Sequence, residues 1–284
     1  MTILRLIARL DIKGPNVVKG VQMEGLRIMG KPWDFARRYA EDADELLYVD
    51  TVASLYGRNQ LGSLLEQTAH GVFVPITVMG GLRSLADVKR VLDSGADKVA
   101  VNSAAIGTPR LIREISDHYG SQAIAVSIEA KRKAGGWECF TDNGRQATGK
   151  SAQAWATEAV TLGAGEVLLT SVDRDGTRKG FDVELVRAIS DAVDVPVVAC
   201  GGMGGVEHLR HVLVEGRADA VAVASVLHYG LVTFKEMHDV VRREFAKGKL
   251  HHERIGRAGA ETGRPEGRIP EEGAGIHWRQ HGIR

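Results

Sequence analysis

With 284 residues and 44% hydrophobic side chains, the chain is long enough to bury one large core or two small ones. Its 37 Lys and Arg stand against 36 Asp and Glu, which leaves no electrostatic footprint for nucleic acid or an anionic membrane surface. No apolar run spans a bilayer, MTILRLIARLDIK is too short for a secretory signal, and Cys139 and Cys200 form neither a disulfide framework nor a metal-ligand spacing, so free thiols in the cytosol are expected.

In chain order, short β-branched runs alternate with amphipathic stretches. Strands are expected at Leu4–Leu10, Glu45–Val49, Ile76–Val78, Lys98–Val101, Ala123–Ile128, Glu166–Thr170, Val197–Ala199 and Ala220–Val223. Helical windows lie between them at Ser84–Ser94, Ser151–Leu162 and Val206–Val214, with Ser84 as an N-cap. Eight strands separated by helices read as parallel βαβ units, and no glycine fingerprint follows the first strand to favour an open doubly wound sheet. The expected fold is an α/β (β/α)8 TIM barrel over residues 1–246. From Lys247 the chain turns to Gly, Arg and Glu with little apolar periodicity, and 247–284 is expected to be a disordered tail.

An internal repeat refines the architecture. VPITVMGGLRSLADVKRVLDSGADKVAVNSA, from Val74, matches VPVVACGGMGGVEHLRHVLVEGRADAVAVAS, from Val195, at an offset of 121 with one residue inserted near Arg217. ADELLYVD and AGEVLLTS align at the same offset, and IARLDIK aligns with AVSIEAK at 118. The barrel is therefore read as two half-barrels.

In such barrels chemistry sits at the C-terminal ends of the strands. The repeat puts Gly80-Gly81 and Asn102-Ser103 there, and its copy puts Gly201-Gly202 and Ala224-Ser225 in matching places. Glycine turns that expose backbone N–H groups suit phosphates, so two cradles imply an elongated bisphosphate, unless the glycines serve tight turns alone. Asp11 and Glu129 end facing strands and form a candidate acid–base pair, with ion pairing to Lys13 and Lys131 as the alternative. Thr170, Ser171, Asp175 and Gly176 belong to a polar loop, TSVDRDGT, while Asp50 and Thr51 end the second strand. Lys19 lies in GPNVVKGV, a segment able to act as a lid. At the opposite face Arg5, Glu45, Lys98 and Glu166 begin four strands as a ring of alternating charge, which spacing alone leaves open as plug or gate.

LDIKGPNVVKG, DADELLYVDTVAS, GGLRSLADVKRVLDSGADKVAVNSAA, GAGEVLLTSVDRDGT and DAVAVAS-LHYG together resemble the cyclase family of imidazole glycerol phosphate synthase, over roughly residues 3–245. That resemblance implies a lyase of histidine biosynthesis in which ammonia attacks a bisphosphorylated formimino-aminoimidazole ribulose nucleotide. The implied products are imidazole glycerol phosphate and an aminoimidazole carboxamide ribonucleotide. A glutaminase subunit would supply the ammonia as a heterodimer partner docked at the N-terminal face. Asp11 and Glu129 then stand at the two catalytic positions, Lys19 matches the family's loop lysine, and Arg5, Glu45, Lys98 and Glu166 match its ammonia gate. Substrate contacts fall to Lys19, Asp50, Gly80, Gly81, Asn102, Ser103, Thr170, Ser171, Asp175, Gly176, Gly201, Gly202, Ala224 and Ser225, with no metal or organic cofactor.

The chain departs from the family pattern at Arg9 (usually Cys), Met79 (usually Gly), Ser103 (usually Thr) and Glu129 (usually Asp). One methylene moves a carboxylate by roughly 1.5 Å, and a misplacement of about 1 Å can lower a rate by on the order of 100-fold. Two other readings therefore stay open. One is a cyclase-like barrel serving as ammonia conduit for a different amidotransfer, such as amidination of a surface sugar. The other is the preceding isomerase of the pathway, which needs neither the charged ring nor TSVDRDGT.

Overall fold

The computed structural model of the chain describes residues 4–53 and 61–250. β1 (Arg5–Lys13) runs into an antiparallel pair, β2 (Asn16–Val21) and β3 (Glu24–Gly30), before α1 (Pro32–Tyr39) and β4 (Glu45–Asp50). Next come α2 (Gly62–Ala69), β5 (Ile76–Met79), α3 (Leu85–Asp93), β6 (Lys98–Val101), α4 (Ser103–Gly107) and α5 (Arg110–Tyr119). The second half repeats the plan with β7 (Ile124–Lys133), the antiparallel pair β8 (Gly136–Thr141) and β9 (Gln146–Ser151), α6 (Ala152–Thr161) and β10 (Glu166–Ser171). It ends with α7 (Val183–Ser190), β11 (Val197–Cys200), α8 (Val206–Val214), β12 (Ala220–Val223), α9 (Ser225–His228) and α10 (Phe234–Ala246).

Eight strands pair in parallel in the order β1-β4-β5-β6-β7-β10-β11-β12, and β12 pairs back onto β1 to close the barrel. Closure leaves the barrel strands no free edge, and it splits the apolar residues by strand period two. On β1, Leu6, Ala8, Leu10 and Ile12 pack outward under the helices, while Ile7 points inward with Leu47, Val49, Ala125, Leu168 and Val198. The helices cover the outer layer through apolar stripes, such as Val88 and Val91 on α3 or Phe234, Met237 and Val240 on α10. Burying one such side chain contributes about 1.5–3 kcal/mol. Side chains set the helix starts: Ser84 Oγ accepts from Asp87 N at 3.2 Å, and Thr233 with Glu236 forms a capping box.

The eight expected strands and three expected helices are present, but two strands run several residues past their expected ends. β1 runs to Lys13 and β7 to Lys133 because each continues past the barrel as one side of an antiparallel hairpin. Asp11 and Glu129 therefore do not end their strands. Asp11 still pairs in parallel with Val49 and Glu129 with Thr170, while Glu129 also opposes Phe140 of the hairpin. Likewise GPNVVKGV is not a loose lid, since most of it is β2, paired with both β1 and β3.

Most of the expected tail, residues 251–284, lies outside the described residues. Its first four residues finish α10 in an ordered way. Lys247 Nζ donates to Glu244 Oε1 at 2.7 Å, Gly248 takes the left-handed conformation, and Leu250 packs on the core.

Candidate functional site

β1 and β7 stand four places apart in the eight-strand ring, so Asp11 and Glu129 face each other across the C-terminal mouth. Arg5, Ile7, Arg9 and Asp11 share the inward face of β1. Asp11 is buried with both oxygens engaged: Oδ1 accepts from Arg9 Nε at 2.7 Å and Oδ2 from Lys19 Nζ at 3.0 Å. Lys19 Nζ also donates to Asp175 Oδ1 at 3.0 Å, which extends the chain of charges to the loop after β10. Burial by itself raises the Asp11 carboxyl, but Arg9 and Lys19 outweigh it and hold the group well below the usual carboxylate range. Asp11 is thus ion-paired, though to Arg9 and Lys19 and not to Lys13.

Glu129 has the opposite environment. It is 2% exposed and, among the described residues, forms no ion pair. Its Oε2 accepts a hydrogen bond from Gly144 N at 2.7 Å. Burial pushes its carboxyl up to about 7, with the Gly144 bond and the more distant charge of Arg9 opposing only in part. Lys131 does not pair with it, because its ammonium lies over the Phe140 ring at 4.7 Å. The two carboxyls of the mouth thus differ: ion pairing keeps Asp11 an anion, while burial favours the protonated form of Glu129.

Two glycine-bordered pockets open at the mouth. One is lined by Asp50, Gly80, Gly81, Asn102, Ser103 and Glu129. The other is lined by Gly176, Gly201, Gly202, Ala224 and Ser225, with Asp175 and the two partners of Asp11, Arg9 and Lys19, beside them. The repeat thus assembles both expected cradles. Glycine itself has a separate cause: Gly80 and Gly201 have φ of +106° and +86°, and an added Cβ would lie 2.5 Å from Asp50 O and 2.8 Å from Ser171 O. Asp50 and Ser171 are repeat mates, so the same backbone crowding demands glycine in both halves. Thr170 and Ser171 line neither pocket. Thr170 Oγ1 accepts from Arg9 at 3.3 Å, and the buried Ser171 hydroxyl has no hydrogen-bond partner among the described residues.

The two hairpins cross the mouth reciprocally. The β2–β3 turn docks on the loop after β10, where Gln22 N donates to Asp175 O at 2.8 Å and Met23 N to Asp175 Oδ2 at 3.3 Å. The β8–β9 turn docks on the end of β4, where Asn143 Nδ2 donates to Thr51 O at 2.5 Å. Sequence reading missed Arg9 as a site group, along with Asn143 and Gly144. The Asp142-Asn143-Gly144 run is a tight-turn signal that could have found the latter two.

At the far end Arg5, Glu45, Lys98 and Glu166 form the expected ring. Arg5 bonds Glu45 at 2.6 Å and also Glu166, and Lys98 bonds Glu166 at 2.6 Å with Glu45 at 3.9 Å. Thr77 Oγ1 donates to the remaining Glu45 oxygen at 2.5 Å. Among the described residues, no cluster of His, Cys, Asp and Glu is placed to hold a metal ion, and no helix is long and apolar enough to cross a membrane.

The sequence model of a family described as "Histidine biosynthesis protein" matches residues 5–233. A protein of Legionella pneumophila named imidazole glycerol phosphate synthase subunit HisF is 56% identical over 212 residues, 74% of this chain and 100% of that protein. One of the same name from Myxococcus xanthus (strain DK1622) is 50% identical over 239 residues, 84% of this chain and 94% of that protein. The pair of carboxyls, the two pockets and the charged ring thus occur in a chain that belongs to the histidine biosynthesis protein family.

Proposed function

We propose that this chain is the cyclase subunit of imidazole glycerol phosphate synthase, a lyase of histidine biosynthesis. It uses ammonia to convert the bisphosphorylated formimino-aminoimidazole ribulose nucleotide into imidazole glycerol phosphate and aminoimidazole carboxamide ribonucleotide. The observation that carries this reading is the placement of two carboxyls on facing strands, one ion-paired to Arg9 and Lys19 and one without a cation, together with the two glycine-bordered pockets of the same mouth. One phosphate sits in each pocket, which lays the reacting centre between Asp11 and Glu129.

Nitrogen addition must shed protons, and release of the amine product must gain one. Asp11, kept ionised, accepts the proton from the attacking nitrogen, and Glu129 donates to the departing amine. Arg5, Glu45, Lys98 and Glu166 gate ammonia at the N-terminal face, and a glutaminase subunit docks there in the cytosol. Support for that face comes from the ring itself and from Phe73, which stands 93% exposed just before β5.

The test is turnover of purified protein with the bisphosphate substrate and excess ammonium salt at mildly alkaline pH, which bypasses the partner. The cyclase reading expects both products. No turnover, together with unimpaired binding of a glutaminase subunit, would sink it in favour of an ammonia conduit for a different amidotransfer. That second reading draws on Glu129, whose carboxyl is tied back to Gly144. A Glu129→Asp variant separates the two. Loss of activity by about 10-fold or more shows Glu129 tuned to its place, and a gain shows the extra methylene to be a defect.

A further inference from the structure

The two glycine pockets obtain positive charge in different ways. The first carries Arg83 on its lining, from the same loop as Gly80 and Gly81. The repeat mate of Arg83 is Gly204, so the second loop brings no cation from that position. The charged side chains on the second lining are Arg9, Lys19 and Asp175. Arg9 reaches it from inside the barrel, on a strand of the other half. Its own repeat mate, Ser127, is fully buried with a hydroxyl that has no hydrogen-bond partner among the described residues. A cation has thus been set under one carboxyl and not under the other.

Arg9 is built into its place. It is 6% exposed, its Nε is held by Asp11 and its Nη1 by Thr170, and the rest of the guanidinium lies beside Cys200 and the pocket. A guanidinium fork can keep Nε on one carboxylate while its outer N–H groups meet a second anion. Arg9 and Lys19 are balanced here by Asp11 and Asp175, so the site has no net charge of its own to repel an incoming dianion. We propose that Arg9 is an anion-binding, specificity-determining residue of the Gly201–Gly202 pocket, where its outer guanidinium edge holds one phosphate of the substrate. The role rests on the cyclase reading for its substrate and goes beyond it in naming the residue. It also ties the two tasks of the mouth together, because a phosphate in that pocket shares the cation that otherwise serves Asp11 alone.

The test is titration of the full chain with inorganic phosphate, followed through the backbone amide NMR signals of both glycine pairs. In the unaltered protein both pairs respond. In Arg9→Met the Gly201 and Gly202 signals require at least about tenfold more phosphate, while Gly80 and Gly81 respond as before and certify that the variant is folded. Arg9→Lys keeps the charge but not the fork, so its Gly201 and Gly202 midpoint falls between those of the unaltered protein and Arg9→Met. An unchanged midpoint for Gly201 and Gly202 in Arg9→Met overturns the proposal, as does their failure to respond in the unaltered protein. Since the titration reads binding without turnover, an inactive protein in the cyclase assay would refute the function while leaving this result intact.

Discussion

On the β1 side of the mouth a carboxylate meets two cations; on the β7 side its repeat mate meets the Gly144 N–H and the Asn102 side chain and no cation within ion-pair distance among the described residues. The backbones around them are near copies, down to the hairpin that follows each strand and the glycine that follows each neighbouring turn. A few side chains make the difference. Position 9 is Arg and its mate 127 is Ser, position 83 is Arg and its mate 204 is Gly, and Lys19 reaches Asp11 from the first hairpin. Duplication thus supplies two pockets and two carboxyls, and the asymmetry of cations holds Asp11 ionised while burial favours the protonated form of Glu129.

Four experiments test this difference between the two sides. The largest effect is expected for Asp11→Asn, which removes the base and leaves Arg9 and Lys19 facing a neutral amide. Turnover with ammonium should fall by on the order of 10³-fold, and activity within tenfold of the unaltered protein would remove Asp11 from the chemistry.

Glu129→Gln follows, with a loss of on the order of 10²-fold. The pH profile carries more information than the rate. As a general acid Glu129 works protonated, so turnover at a fixed concentration of neutral ammonia should fall as pH rises through about 7, and the Gln variant should lack that limb. Stability follows the same sign. The folded-state value lies above the unfolded one, so the contribution of Glu129 is fully present below its unfolded value and is lost as pH rises through about 7. Between pH 5 and pH 8 the unaltered protein should lose on the order of 3 kcal/mol that the Gln variant keeps, read from urea unfolding at both pH values. Parallel pH dependence in the two proteins would show that Glu129 titrates normally.

Lys98→Met tests the other end of the barrel. Glu166 keeps Arg5 and the site is partly open to water, so the expected destabilisation is about 1–2 kcal/mol, below that for a fully buried pair. Turnover with free ammonium should hold while glutamine-driven turnover with the partner falls. An equal loss in both assays would mark the ring as structural only.

The smallest effect is expected at Ser127→Ala. Removing a buried hydroxyl without a partner should stabilise the fold by up to about 1 kcal/mol, seen as a higher Tm. A lower Tm would mean that the hydroxyl has a use on the β7 side that Arg9 does not mirror.

Much of this was legible in the residues. Short β-branched runs marked all eight barrel strands, and Ser84 announced its helix because an N-cap is a local contact. Asp11 and Glu129 emerged from alignment of the two halves, and the four ring residues from the charges that begin strands. The hairpins did not, because β3 and β9 are short and largely exposed and carry little of the apolar alternation that marks a buried strand. Glycine was only half legible: its positions were clear, whereas the carbonyls that forbid a side chain there belong to neighbouring strand ends.

Taken alone, then, the sequence determined the strand–helix alternation, the duplication and which residues begin or follow the strands, since all three follow from local pattern and spacing. Tertiary structure alone decided what each inward residue meets. Lys19 finds Asp175 across 156 residues, and Arg9 finds Thr170 across 161. Such pairs exist only once barrel closure brings distant strand ends together in a space that excludes water. There a cation beside a carboxyl keeps it ionised, and without one burial favours the protonated form.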